Sequence, residues 1–231
     1  MDTAAMPDPP KLASLFEALR DPACYPHPVS EVQVLETHIS QVLLAGEFAY
    51  KIKKPVRLPF LDFSTLEARR RFCREELRLN RRTAPQLYLD VVAIGGTPAA
   101  PRVGGGGPAL EYAVKMRRFP QEALFSHLAR ARALGRAHVD ALADELVAFH
   151  GAAARFAEGG QAASASAAAN FEEMAALAPS APQREVLEVL RAWTRREGAR
   201  LAAAFAQRAA RGFVRDCHGD LPRGNLAWVD G

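Results

Sequence analysis

The chain changes its hydrophobic period at about Phe119, and this change constrains the fold more than any other feature. Upstream, apolar and β-branched residues recur with the period of two that a half-buried strand requires. Val32 with Val34, the run Gln41–Ala45 and the alternation Phe48-Ala-Tyr-Lys-Ile-Lys53 read as three short antiparallel strands, with Gly46 supplying a turn and Pro55 and Pro59 ending the segment. Leu87–Ile94 predicts a fourth strand and Ala109–Met116 a fifth. The stretch Gly95–Pro108 between them contains four consecutive glycines, Gly104–Gly107, and reads as a mobile hairpin loop. One helix interrupts the strands. Ser64 as N-cap and Glu67 three positions on predict a capping box, and the helix runs to about Thr83 before Pro85 stops it.

Beyond Pro120 the pattern becomes helical over Glu122–Ala133, Val139–His150 and Glu185–Ala210, while Gly151–Ala169 reads as an Ala- and Gly-rich loop with a partial helix. Phe213–Arg215 and Leu226–Val229 are short strand-like pieces. The expected architecture is α+β. A tail and short helix occupy residues 1–30, five antiparallel strands with one helix occupy 31–118, and a mostly helical part occupies 119–231, with a hinge at Met116–Phe119.

Several function classes lose support from composition. The formal net charge of +4 comes almost wholly from arginine, with no basic stripe interleaved with aromatics, so a nucleic-acid partner is not expected. No apolar run approaches the roughly 20 residues of a membrane span, and Met1–Pro10 lacks the basic and apolar regions of a secretory signal. The expected location is cytoplasmic, with no membrane partner. Three scattered cysteines fit reduced thiols rather than a disulfide framework.

The chemistry-bearing residues are concentrated in two places. Near the C-terminus stands Cys217-His218-Gly219-Asp220-Leu221-Pro222-Arg223-Gly224-Asn225, where Asp220 and Asn225 are five positions apart. Phosphoryl transfer from ATP asks for an aspartate to orient or deprotonate a hydroxyl and an amide or carboxylate to hold Mg²⁺. It also asks for a lysine on the phosphates, fixed by a glutamate. Asp220 and Asn225 fit the first two roles, and the His218 ring can brace the loop. Lys51 and Lys53 share one face of the third strand. Glu76 falls on the inner face of the predicted helix with Phe72, Cys73 and Leu79, where an unpaired carboxylate would be costly, so it needs a cationic partner. Either lysine can serve; Lys51 lies deeper in the apolar run. Thr37-His38-Ile39-Ser40 falls where a phosphate-covering loop would lie, which makes Ser40 a further nucleotide-binding candidate, although no Gly-rich phosphate loop is present.

His218-Gly219-Asp220-Leu221 with Asn225 resembles the catalytic loop of the aminoglycoside phosphotransferase (choline kinase-like) group. The strings Glu36–Ser40, Phe48–Pro55, Phe60–Leu66, Glu76–Arg82 and Leu87–Val91 resemble a bacterial branch of that group whose members are sometimes fused to a C-terminal P-loop kinase-like domain. The similarity runs from about Glu31 to the end. It implies a protein kinase-like two-lobed fold, ATP and Mg²⁺ as cofactors, and a nucleotide and a small-molecule hydroxyl as partners. Pro222 stands where the group has a second histidine. The group's second metal-binding aspartate is expected beyond Asp230-Gly231, so the chain reads as a C-terminal truncation. A catalytically silent nucleotide-binding or regulatory module is the alternative reading.

Overall fold

Strand-forming residues pair with turn residues of matching geometry, and this builds the first part of the chain. In the computed structural model, residues 9–58, 61–156, 162–177 and 180–229 are described. Contacts divide the chain into two compact units, Met1–Leu134 with Pro222–Gly231 and Gly135–Leu221, which are taken separately below.

In the first unit, β1 (Val32–Glu36), β2 (Ser40–Ala45) and β3 (Phe48–Lys53) pair antiparallel in sequence. A two-residue turn joins β2 to β3. Gly46 adopts φ +56° at its first position, and a Cβ there would stand 2.8 Å from the Pro28 carbonyl oxygen, so glycine is required. Beyond a two-stranded ribbon, β4 (Arg57–Leu58) with β5 (Leu61–Asp62), helix α2 (Leu66–Asn80) leads to β6 (Tyr88–Thr97), β7 (Ala100–Val103) and β8 (Glu111–Arg117). The six-stranded sheet has the order β1-β2-β3-β8-β6-β7.

Register then assigns the faces. Leu43 lies opposite Tyr50, and Ile52 opposite Ala113, on the face covered by α1 (Pro9–Ala18) and a 3-10 turn at Pro22–Cys24. Leu15, Leu19, Tyr25, Leu43, Tyr50, Ile52, Ile94 and Ala113 form one buried cluster there. Burying a side chain of this size contributes about 1.5–3 kcal/mol, which is what holds α1 to the sheet. The opposite face carries Val42, Ala49, Lys51, Lys53 and Val114, and α2 packs on that side.

Three expectations about the segment between β3 and β8 are corrected. The N-cap of α2 is Thr65, whose hydroxyl accepts from the Ala68 N–H at 3.1 Å, whereas the Ser64 N–H donates to the Asp62 carboxylate at 2.9 Å. With Thr65 as cap, Glu67 comes one position too early for a capping box. The helix also ends at Asn80, short of Thr83. Finally, the glycine-rich stretch is not all loop: β6 runs through Gly95 and Gly96 to Thr97, and Ala100–Val103 returns as a sixth strand. Pro101 is tolerated there because β7 is the sheet's edge. Pro59, expected to end the third strand's segment, lies outside the described residues.

After β8 the first unit continues through a 3-10 turn, Gln121–Ala123, and α3 (Phe125–Arg130). Leu124 bridges to Ala227, so Leu226–Val229 contributes an isolated bridge rather than a strand. The second unit holds α4 (Arg136–Ala152), α5 (Ala162–Leu177) and α6 (Ala181–Ala210). Ser180 and Gln183 cap α6 reciprocally, with Pro182 in its first turn, so this helix begins four residues before the expected Glu185. Among the described residues no helix is long and apolar enough to cross a membrane.

Candidate functional site

Lys51 and Lys53 alternate with buried Tyr50 and Ile52 on β3, which places both ammonium groups on the α2 side of the sheet. Glu76 comes to meet them from the third turn of α2. Lys51 Nζ donates to Oε1 at 2.8 Å and Lys53 Nζ to Oε2 at 2.6 Å, so one carboxylate holds both lysines. The sequence left open which lysine would pair with Glu76, and the structure brings both to it. Their surroundings differ. The Lys53 side chain is 7% exposed and its Nζ lies 4.9 Å from the Phe63 ring centroid, whereas the Lys51 side chain is 31% exposed.

Burial alone would raise the Glu76 carboxyl, but the two ammonium groups outweigh it and hold the group below its ordinary range. Tyr88 also stands in this field: burial, then the Glu76 charge, push its phenol up to about 12. Burial likewise pushes the Cys73 thiol up to about 12, which makes it an inert core residue. Ser40 lies directly opposite Lys53 in the β2–β3 register. Its hydroxyl is buried with no hydrogen-bond partner among the described residues, and its carbonyl accepts from the Thr37 N–H at 2.9 Å and the Thr37 hydroxyl at 3.0 Å. Lys54 fastens the same hairpin end, donating to the Glu36 carboxylate at 2.5 Å and the Thr37 carbonyl at 2.7 Å.

Further along the same strands is a cleft of about 620 Å³, lined by Gln33, Leu35, Leu44, Phe48 and the segment Arg117–Glu122. This volume is in the range of small-ligand sites. Leu44 pairs with Ala49, one strand repeat from the Val42–Lys51 pair, so Lys51 lies about 7 Å from this part of the cleft along the sheet.

In the second unit, Arg215 leads into the C-terminal motif. Its guanidinium donates to the carbonyls of His150 at 2.6 Å, Gly151 at 2.8 Å and Gly212 at 3.1 Å, closing the end of α4. The Asp216 N–H donates to the Ala154 carbonyl and the Phe156 N–H to the Val214 carbonyl, both at 2.9 Å. Gly219 then takes φ +77°, and the Asp220 N–H reaches back to His218 Nδ1 at 3.4 Å, so the ring braces the loop only through a long contact. Asp220 is exposed. Asn225, in the first unit, closes a 3-10 turn, Arg223–Asn225, and its N–H donates to the Pro222 carbonyl at 2.8 Å.

Sequence reasoning missed the Arg215 clamp, and it also missed an ion pair in the first unit. Arg69 Nε donates to Glu111 Oε2 at 2.8 Å between side chains that are 1% and 0% exposed. Only the inward placement of Arg69 was signalled, because it shares the α2 face of Cys73 and Glu76; nothing local pointed to Glu111. Among the described residues no group of three or more His, Cys, Asp or Glu side chains is placed to hold a metal ion. Asp230 lies outside the described residues.

Comparison with known proteins returns uncharacterised relatives. The chain is 38% identical over 138 residues to proteins of Mycobacterium bovis and of two strains of Mycobacterium tuberculosis, each described as an uncharacterised protein. The match takes in 58% of this chain and spans about a quarter, 26%, of the relatives' length. No family model matches the sequence, and no solved structure matches it.

Proposed function

We propose that the chain is the nucleotide-binding part of an ATP- and Mg²⁺-dependent phosphotransferase of the aminoglycoside phosphotransferase (choline kinase-like) type, with a protein kinase-like two-lobed fold. The acceptor is a small-molecule hydroxyl. The observation that carries this reading is the Lys51–Glu76–Lys53 centre, built by alternate positions of β3 and one turn of α2. A lysine held by a helical glutamate on an antiparallel sheet, one strand repeat from a cleft lined by both apolar and charged side chains, suits the positioning of a nucleotide.

In this reading the cleft at Leu35, Leu44 and Arg117–Glu122 takes the base, and Lys51, the more exposed lysine, binds phosphate oxygens. Lys53, nearly buried, fixes the second oxygen of Glu76 and orients it. By resemblance to the family's catalytic loop, Asp220 would be the group that accepts the acceptor's hydroxyl proton as the oxygen attacks phosphorus and the bond to the ADP oxygen breaks. Mg²⁺ requires few protein ligands, because nucleotide phosphates and water supply the others, and the family resemblance would make the Asn225 side-chain oxygen one of them. When bound, the ion neutralises charge on the transferring phosphoryl group.

Calorimetric titration with MgATP tests the binding, and γ-phosphate release or transfer to simple hydroxyl compounds tests the chemistry. The expected result is saturable binding, with turnover abolished by Asp220→Asn. Binding without turnover supports the silent-module alternative, and no binding at millimolar MgATP overturns the reading altogether.

A further inference from the structure

Arg69, Cys73 and Glu76 occupy positions i, i+4 and i+7 of α2 and therefore share one face of the helix. The Glu76 end meets the two lysines of β3, and the Arg69 end meets Glu111 at the start of β8. The contacts at the Arg69 end are numerous. Besides the 2.8 Å bond to Glu111, Arg69 donates through one terminal nitrogen to the carbonyls of Phe63 at 2.9 Å and Ser64 at 3.2 Å. The Tyr112 N–H donates to the other Glu111 oxygen at 3.0 Å. The pair thus joins the segment entering α2, the helix itself and a central strand.

Stability alone does not account for it. Desolvation offsets much of the attraction in a buried ion pair, and apolar residues of similar volume often serve as well or better. What the charged pair adds is direction, because a planar guanidinium meeting a carboxylate and two carbonyls admits few orientations. That direction has a consequence seven residues on, about 10 Å along the axis. With side chains about 6 Å from the axis, a helix rotation of about 10° moves the Glu76 carboxylate by about 1 Å.

We propose that Arg69 and Glu111 are a positioning pair for the Lys51–Glu76–Lys53 centre, fixing the rotation of α2 so that Glu76 reaches both lysines at once. The consequence for ligand binding rests on the nucleotide reading above; the consequence for the lysines does not.

The test uses the whole chain with the Arg69→Met/Glu111→Leu double substitution, which keeps the volume and removes the direction, and Glu111→Gln as a gentler second variant. Three measurements are made: urea unfolding, ¹⁵N NMR of the lysine ammonium groups, and MgATP affinity. The double variant is expected to unfold cooperatively and to lose the slow-exchanging lysine ammonium signals that Glu76 holds in the native protein. Its MgATP affinity is expected to fall by about tenfold to a hundredfold, the worth of a hydrogen bond to a charged phosphate. Glu111→Gln shows the same changes in smaller degree, and remains decisive if the double variant fails to fold. Lysine signals unchanged in a folded variant overturn the proposal, since a merely structural pair changes stability and leaves them alone. If the native chain binds no MgATP, the nucleotide reading fails, and the lysine signals still decide the positioning role.

Discussion

Lys53 Nζ donates to Glu76 Oε2 at 2.6 Å from a side chain only 7% exposed, while Lys51 occupies the carboxylate's other oxygen. One negative charge therefore compensates two positive ones in a partly buried site, and its removal leaves the lysines facing each other. Glu76→Ala is expected to cost about 3–5 kcal/mol, the usual penalty for orphaning a buried charge. Urea unfolding measures it; a midpoint within error of the native protein's would mean that Glu76 does not hold these lysines.

The two lysines should separate by experiment. Lys51→Met removes the more exposed ammonium group and is expected to weaken MgATP binding at least tenfold with little change in melting temperature. Lys53→Met buries an apolar chain but leaves Glu76 with one partner, and is expected to change binding and stability together. Calorimetry alongside thermal unfolding distinguishes the variants, and the reverse pattern would make Lys53 the phosphate ligand.

Glu111 gives stability a pH dependence of known sign. Burial outweighs the Arg69 charge and raises its carboxyl from the ordinary 4.5 to about 7. The folded state then binds the proton more tightly than the unfolded state, so this group's contribution to stability declines as pH rises from about 4.5 to about 7. Glu76 works in the opposite sense: its folded pKa is lowered, and its contribution is lost only as pH falls below 4.5. Between pH 5 and 8 the stability of the native chain relative to Glu111→Gln should therefore fall. Urea midpoints across that window check it, and a relative stability that rises with pH would refute it.

Where neighbours in sequence determine the structure, the chain was legible. The three strands before Lys54, their shared lysine face and the inward carboxylate of Glu76 follow from periods of 2 and 3.6. The β7 strand was not, because Pro101 and the glycines around it read as loop until an edge position makes them acceptable. The start of α6 was legible but missed, since Ser180 and Gln183 have capping-box spacing. The partners of Arg69 and Arg215 were not legible. Glu111 is 42 residues from Arg69, and the carbonyls of His150 and Gly151 are 65 and 64 residues from Arg215. No local pattern encodes such pairings.

Arg215 makes a prediction confined to the second unit. Its three carbonyl acceptors at His150, Gly151 and Gly212 lose their donor in Arg215→Met, at a cost of about 1–3 kcal/mol for groups left without partners. The effect should be local at first: the amides of Phe156 and Asp216, which bond across the same junction, should exchange hydrogen faster than those within α6. Unchanged protection at both amides would show that the clamp does not hold the segment leading into the C-terminal motif.

Gly219 tests how the motif itself is shaped. From sequence, the glycine beside Asp220 offers a position free of side-chain obstruction, but space is not what requires it. A Cβ there would meet nothing within 4 Å, whereas the backbone sits at φ +77°, where an L-side chain clashes with its own carbonyl. The cost of substitution therefore depends on tolerance of the left-handed region rather than on size. Gly219→Ala should lose about 1–2 kcal/mol, and Gly219→Asn, bulkier but more at ease in that conformation, should lose less. The expected order of stability is native, then Gly219→Asn, then Gly219→Ala, read from denaturant midpoints. An order that follows side-chain volume would mean that packing fixes the loop, and a Gly219→Ala chain as stable as the native one would mean that Asp220 is presented from a different backbone conformation.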